Sequence, residues 1–225
     1  VAFGLGLLAV SRFPEGARHA PALVLGFALL FRLIVLPAPP SQSEDVYRYL
    51  WDARIATLGV NPYAYPPDAP ELESYRDETI YPMINSKPYV TAYPPLTQVL
   101  FRLSWGLFGQ SVTGMKAVFA LCEFLALLVT WRLLILWGRP LRFLLLAAWN
   151  PFFIFEFAHS GHSDSAMMLL ILLSVWALAR KKKAWAMAGY AGAVVAKLHP
   201  ALWFPLYWRL TGWKARAAGF GAGIG

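Results

Sequence analysis

Five apolar runs, at 20–37, 114–138, 143–158, 165–179 and 184–208, leave this chain few architectures to fold into. The longest reach the roughly 20 residues needed to cross a bilayer. In lipid the backbone amides must be satisfied within the segment, so such runs are expected to be helices. Charged residues make up only 14% of the chain against 58% apolar, and mean hydropathy is +0.50. A soluble domain carries about a quarter charged residues. The expected fold is therefore all-α, a polytopic transmembrane helix bundle without internal repeats or low-complexity tracts.

The net charge of +8 does not point to nucleic acid, because the cations sit in short loops between the runs. There they act as topology signals. Arg12 and Arg18 precede the first run, Arg139 and Arg142 follow the second, and Arg180, Lys181, Lys182 and Lys183 follow the fourth. With all three clusters cytoplasmic, 38–113 lies wholly outside the cytoplasm. The segment 94–109 is then an interfacial or re-entrant helix, and 143–179 is a hairpin reaching the outer face at 159–164. The alternative, in which 94–109 crosses the bilayer, places the strongest basic cluster outside. Cys122, the single cysteine, gives no disulfide framework and reads as packing. The apolar start at 1–10 is too short to span and lacks the marks of a signal peptide, and 220–225 looks like the opening of a further span. The chain is thus expected to be one module, 1–225, the truncated front of a longer protein, with 38–112 as an extracytoplasmic loop bearing interfacial helices.

Polar residues collect at the expected outer face in three places. After the first run, Ser41 followed by Glu44 has the spacing of a capping box and predicts a helix start. Asp45, Arg48, Tyr49 and Asp52 share one helical stripe, and Val46, Leu50 and Ala53 another, which describes an amphipathic helix at the interface. A carboxylate there can act as a general base on an acceptor hydroxyl. The plainer reading pairs Arg48 with Asp45 or Asp52. Between the helices, Gly59-Val60-Asn61-Pro62-Tyr63 and Tyr65-Pro66-Pro67 are turn signals, although Asn61 and Tyr63 can also touch a sugar.

The second cluster is His159-Ser160-Gly161-His162-Ser163-Asp164. Its spacing is poor for zinc, and it reads equally as a turn that binds substrate or as a helix cap with Ser163 or Asp164 at the N-cap. Glu156, one turn before His159, is placed either to orient that histidine or merely to pair with a neighbour, and like Glu123 it lies inside a span. The third cluster, Ala196-Lys197-Leu198-His199-Pro200, splits the last run in two. Lys197 and His199 are costly inside an apolar run and hence site candidates. The plainer reading has Lys197 snorkelling to headgroups.

With these residues in order, the chain resembles the GT-C superfamily of integral membrane glycosyltransferases, especially bacterial polyprenol-phosphate-dependent mannosyltransferase-like proteins. The resemblance rests on Glu44-Asp45-Val46-Tyr47-Arg48, Gly59-Val60-Asn61-Pro62-Tyr63, Tyr93-Pro94-Pro95-Leu96-Thr97, Asn150-Pro151, the 160–164 turn and Ala196-Lys197-Leu198-His199-Pro200, over roughly 20–208. The Tyr-Pro-Pro-Leu-Thr piece, the Gly-His turn and the late lysine are also similar to dolichol-phosphate-glucose glucosyltransferases.

The resemblance implies a polyprenyl-phosphate sugar donor, mannose favoured among hexoses, and a glycan or glycolipid acceptor outside the cytoplasm. It puts Asp45 at the position of the base, with Glu44 beside it as the other carboxylate. Glu44, Arg48, Tyr49, His159, His162, Asp164, Lys197 and His199 become substrate-binding candidates, with Lys197, His199 and Arg48 facing the departing phosphate. Transfer inverts the anomeric centre, and neither a metal nor another cofactor is expected. The expected setting is a bacterial inner membrane, with the bilayer as partner and no nucleic acid. The rival class is a multi-spanning transporter or lipid flippase, which predicts midplane charges and repeat symmetry. A non-catalytic scaffold would make Asp45 dispensable.

Overall fold

The structure is a computed structural model that describes Gly4 and residues 19–212. The apolar start at 1–10, Arg12, Arg18 and the run from 220 lie outside the described residues. Among those described there are helices and turns and no strand.

Helix α1 (Ala20–Val35) starts with Pro21 in its first turn, where the missing N–H costs nothing. Leu23, Phe27, Leu30, Leu33 and Ile34 are exposed along it, whereas Arg32 is buried. Val24 and Ala28 pack with Leu127, Leu144, Leu145 and Ala148.

Helix α2 (Asp45–Thr57) departs from the expected amphipathic pattern in being buried on its polar stripe as well as its apolar one. Val46, Tyr49, Leu50, Trp51, Ala53 and Ile55 are all buried, and so are Arg48 and Asp52. The segment 58–93 folds back over α2 through 3-10 turns at Pro70–Tyr75 and Tyr81–Met83, filling one side with Leu72, Ile80 and Ile84. Phe101, Met115 and Phe119 fill the other. Arg54 and Asp77 pin this covering segment by an ion pair. The Asn61–Tyr63 motif builds a turn: Asn61 Oδ1 accepts from the Tyr63 N–H at 3.0 Å, and the Tyr63 hydroxyl donates to the Tyr93 carbonyl at 2.6 Å.

Helix α3 (Pro95–Phe108) buries Thr97, Gln98, Phe101 and Ser104 and leaves Val99, Leu103, Leu107 and Phe108 exposed. It meets α4 (Val112–Leu136) across so tight a turn that a Cβ on Gly114 would stand 2.4 Å from Phe108 Cβ. Ser111 caps α4 by accepting the Gly114 N–H at 3.0 Å. By length and composition α4 can cross a membrane; α1 and α6 are apolar but shorter.

The run at 143–158 is not one helix. It comprises α5 (Arg142–Ala148), a single helical turn at Pro151–Phe153 and a π turn at Ile154–His159. Asn150 caps the break, accepting from the Phe152 N–H at 3.0 Å. Next come α6 (Asp164–Ala179) and α7 (Lys183–Ala196), a hairpin whose close approach uses Gly189 against Ser174 and the Leu170 carbonyl. The last run breaks at Pro200 as expected, into a 3-10 turn at His199–Trp203 and α8 (Phe204–Thr211).

Helices α4 and α6 run in the same direction. Gly161, just before α6, rests on Lys116 near the start of α4. At the other end Arg132 of α4 and Arg180 after α6 share one groove. Asp45, the 159–164 turn and Lys197 therefore gather at one end of the molecule, while Arg132 and Arg180 lie at the other.

Candidate active site

Asp45 is the first residue of α2, and exposed Glu44 holds the N-cap position. The predicted capping box does not form. Ser41 is spent elsewhere, its hydroxyl 2.9 Å from His159 Nε2, and the Asp45 N–H is taken by Ser43 Oγ at 3.2 Å. The Asp45 carboxylate is 31% exposed. Its Oδ1 accepts from Asn85 Nδ2 at 2.7 Å, and its Oδ2 stands 3.9 Å from His162 Nε2. Beside it an open cleft of about 460 Å³ is lined by Gln42, Ser43, Glu44, Tyr47, Met83 and Asn85.

His162 is held from behind. Its Nδ1 lies 2.6 Å from Glu156 Oε1, a close contact without hydrogen-bond alignment, and its backbone N–H donates to the Glu156 carbonyl at 3.2 Å. Of the two sequence readings of Glu156, the structure favours pairing with a neighbour, His162, over orienting His159. The π turn and the positive φ of Gly161 (+77°) redirect the chain, so that His162 comes to lie against Glu156. His159 is buried, with Nδ1 lacking a hydrogen-bond partner. Ser163 is the N-cap residue of α6, but its side chain makes no capping bond.

Lys197 ends α7 and donates to both oxygens of Asp164, at 2.6 and 2.7 Å, with both side chains part exposed. His199 is exposed at the start of its 3-10 turn, and among the described residues it has no hydrogen bond or ion pair. Arg48, expected to face a phosphate, is buried and committed instead: Nε donates to Asp52 at 2.9 Å and Nη1 to the Tyr89 carbonyl at 3.0 Å. Burial raises the Asp52 carboxyl above its ordinary range, against the opposing pull of Arg48, Thr91 and Gln98. Tyr49 stacks on Phe101 at 4.4 Å between ring centroids and meets Tyr93 edge-on. Burial, and then the neighbouring Asp45, push its phenol up, so it stays protonated; its hydroxyl is within reach of Ser163.

Two residues at this end escaped the sequence reading. Asn85, in a turn-rich stretch, carries no signal that would mark it out. Lys116 does carry one, a cation inside an apolar run. It is fully buried, donates to the Ala38 carbonyl at 2.5 Å and supports Gly161. Among the described residues no group of three or more His, Cys, Asp and Glu is placed to hold a metal ion.

Against known families, residues 2–211 match the MptA/B family model, described as alpha-(1->6)-mannopyranosyltransferase, N-terminal domain. No curated protein and no solved structure matches the chain.

Proposed function

We propose a specific reaction for this chain, which belongs to the alpha-(1->6)-mannopyranosyltransferase family, a family of GT-C-type mannosyltransferases. A mannosyl unit passes from a polyprenyl-phosphate donor to a hydroxyl of a glycan or glycolipid, outside the cytoplasm and with inversion. The observation that carries the reading is the Asp45 carboxylate, partly exposed beside an open cleft, aimed by Asn85 and faced by His162.

The bilayer reading is supported by an inverted distribution of side chains. Leucine and phenylalanine face outward on α1 and α3, while Arg32, Lys116 and Glu123 are buried. Residues at the interior of membrane bundles distribute charge this way. The cations Arg139, Arg142 and Arg180–Lys183 belong to the end opposite Asp45, so the charge rule turns Asp45 outward, with 38–112 as an extracytoplasmic layer. The donor's lipid tail then rests in the bilayer of the inner membrane and its sugar-phosphate head reaches Asp45.

In the reaction, the acceptor oxygen bonds to the anomeric carbon as the bond from that carbon to the phosphate oxygen breaks. The electron pair leaves with the phosphate and the acceptor proton goes to Asp45. A single displacement inverts the centre. Lys197, fixed by Asp164, and exposed His199 offset the charge growing on the phosphate. Glu44, in the cleft lining, binds the acceptor. Arg48, Tyr49 and His159 act from behind by holding the covering loop, the floor of the site and the Ser41 segment.

Transfer of radiolabelled mannose from polyprenyl-phosphate mannose, measured in membranes containing the full-length protein, tests this. Asp45→Asn is expected to lower transfer by about 10²- to 10⁴-fold with insertion unchanged. Equal transfer by both proteins would remove Asp45 from the role and pass it to Glu44.

A further inference from the structure

We propose that His162 and Glu156 complete a proton relay with Asp45, in which His162 receives the proton that Asp45 takes from the acceptor and Glu156 is the positioning residue that prepares His162 to do so. The inference rests on Asp45 being the base. It begins from the carboxylate–imidazole–carboxylate line: Asp45 Oδ2 at 3.9 Å from Nε2, and Glu156 Oε1 at 2.6 Å from Nδ1. The 2.6 Å contact is not aligned as a hydrogen bond; the relay requires a ring with its hydrogen on Nδ1, on the Glu156 side, and the lone pair of Nε2 toward Asp45. The 3.9 Å gap is one that a bridging water or closure on substrate spans.

The local fold is built around this line. In an unbroken α-helix Glu156 would face residues three and four further on, that is His159 and Ser160. The π turn at Ile154–His159 and the left-handed Gly161 instead carry His162 back over Glu156. Gly161 cannot drift, because Lys116 lies beneath it. π turns of this kind recur at functional sites. The backbone N–H of His162 is hydrogen-bonded to the Glu156 carbonyl, and its ring lies in contact with the Glu156 carboxylate.

The proton count balances. The acceptor O–H bond breaks as the new C–O bond forms, and the proton moves to Asp45 Oδ2 and on to His162 Nε2. The phosphate leaves with the electron pair of its bond to the sugar. The imidazolium then sits between two carboxylates until it loses a proton to water through part-exposed Glu156. Asp45 is thereby ionised again for the next acceptor while the leaving phosphate keeps its full negative charge.

Other ionisable groups around the turn are His159 and Glu156 on the turn itself, Asp45 and Tyr49 from α2, Lys116 from α4, and Asp164 with its partner Lys197 from α6 and α7. Of these, Asp45 and Glu156 are the ones within ion-pair distance of the His162 ring.

Two measurements on the full-length protein in detergent test the relay. The first needs no donor: nitrogen NMR of labelled histidine, with the His162 signal identified by its loss in His162→Gln. The Nδ1–H tautomer is expected at neutral pH, and an Nε2–H tautomer would overturn the relay whatever sugar the enzyme transfers. The second is the pH profile of kcat with polyprenyl-phosphate mannose. Glu156→Gln removes a negative neighbour of the imidazolium, so the acid limb is expected to move to lower pH by about one unit or more. The plateau should fall by about tenfold or more. Glu156→Asp, which keeps the charge, should restore the limb. A Glu156→Gln enzyme that is slow but has its limb in the wild-type place would show a merely structural glutamate and overturn the proposal. Failure of the wild type to use this donor would count against the mannosyl-donor reading, while the tautomer still decides the relay.

Discussion

At the scale of single residues, the charged members of the site were legible because charge in an apolar context is expensive. Lys197 and Glu156 stand out on that ground, whereas Asp45 stands out by its helical stripe and His162 by its polar turn. Regular helical spacing sets Glu156 beside His159, and nothing in the sequence marks the π turn that brings it to His162 instead. The pairing of Arg48 with Asp52 is one of the two that the sequence offered, whereas its bond to the Tyr89 carbonyl depends on the covering loop. Asn85 was invisible, since an asparagine among turn residues looks like a turn residue. Its amide fixes one oxygen of Asp45, so Asn85→Ala is expected to lower kcat by about 10- to 100-fold in steady-state assays, with little change in KM.

Asp77 gives a separate residue-scale expectation about pH. Burial works to raise its carboxyl, but the N–H groups of Ile80 and Thr79, the Thr79 hydroxyl and Arg54 outweigh it and hold the group below its ordinary value. The folded value lies below the unfolded value of about 4, so this stabilisation is present above that pH and is lost as pH falls through the folded value. Asp77→Asn should lower the Tm at pH 7 by about 2–4 °C, corresponding to about 1 kcal/mol. The difference from wild type should close as the melts are taken to strongly acidic pH.

At the scale of elements, the existence of helices was legible from the apolar runs, and the break at Pro200 from proline chemistry. Burial of α2 was not, because its period showed one apolar stripe and gave no sign that 58–93 folds over the polar side. Arg48 and Asp52 reconcile that cover with the charges beneath it. Arg48→Met would leave Asp52 buried without its cation and should cost about 3–5 kcal/mol in thermal unfolding. The turn before α6 makes a sharper case. A Cβ at Gly161 would meet Lys116 Cγ at 2.7 Å, and the residue already sits at φ +77°. Gly161→Ala should cost about 1–3 kcal/mol. It should also reduce transfer per folded molecule, because His162 must move. Gly189→Ala, pressed against Ser174 and the Leu170 carbonyl between α6 and α7, is the control. It should destabilise but leave transfer per folded molecule near wild type.

At the scale of the whole molecule, a few buried charges join helices within apolar packing, while the outer faces carry many exposed apolar side chains. Its clearest expression is Arg32 with Glu123. The guanidinium donates Nε and Nη2 to the two carboxylate oxygens at 2.5 and 2.6 Å and Nη1 to the carbonyls of Ala28 and Ala148 at 2.8 and 2.9 Å. Both residues are 2% exposed, so α1, α4 and the end of α5 meet at one ion pair. A buried pair of this sort stabilises little relative to well-packed apolar side chains, because desolvation offsets the attraction, yet breaking it strands a charge. The two effects separate in a cycle. Arg32→Met and Glu123→Leu alone should each cost about 3–5 kcal/mol in thermal unfolding in detergent, whereas the double variant should recover most of that loss. Recovery would mean that the pair sets which helix faces meet while apolar packing supplies the stability. A double variant as unstable as the singles would assign the stability to the ion pair and its two carbonyl contacts. Either way, transfer activity of the double variant reports whether the α1–α4 register is transmitted to Asp45, the first residue of α2, whose Tyr49 packs against Phe119 of α4.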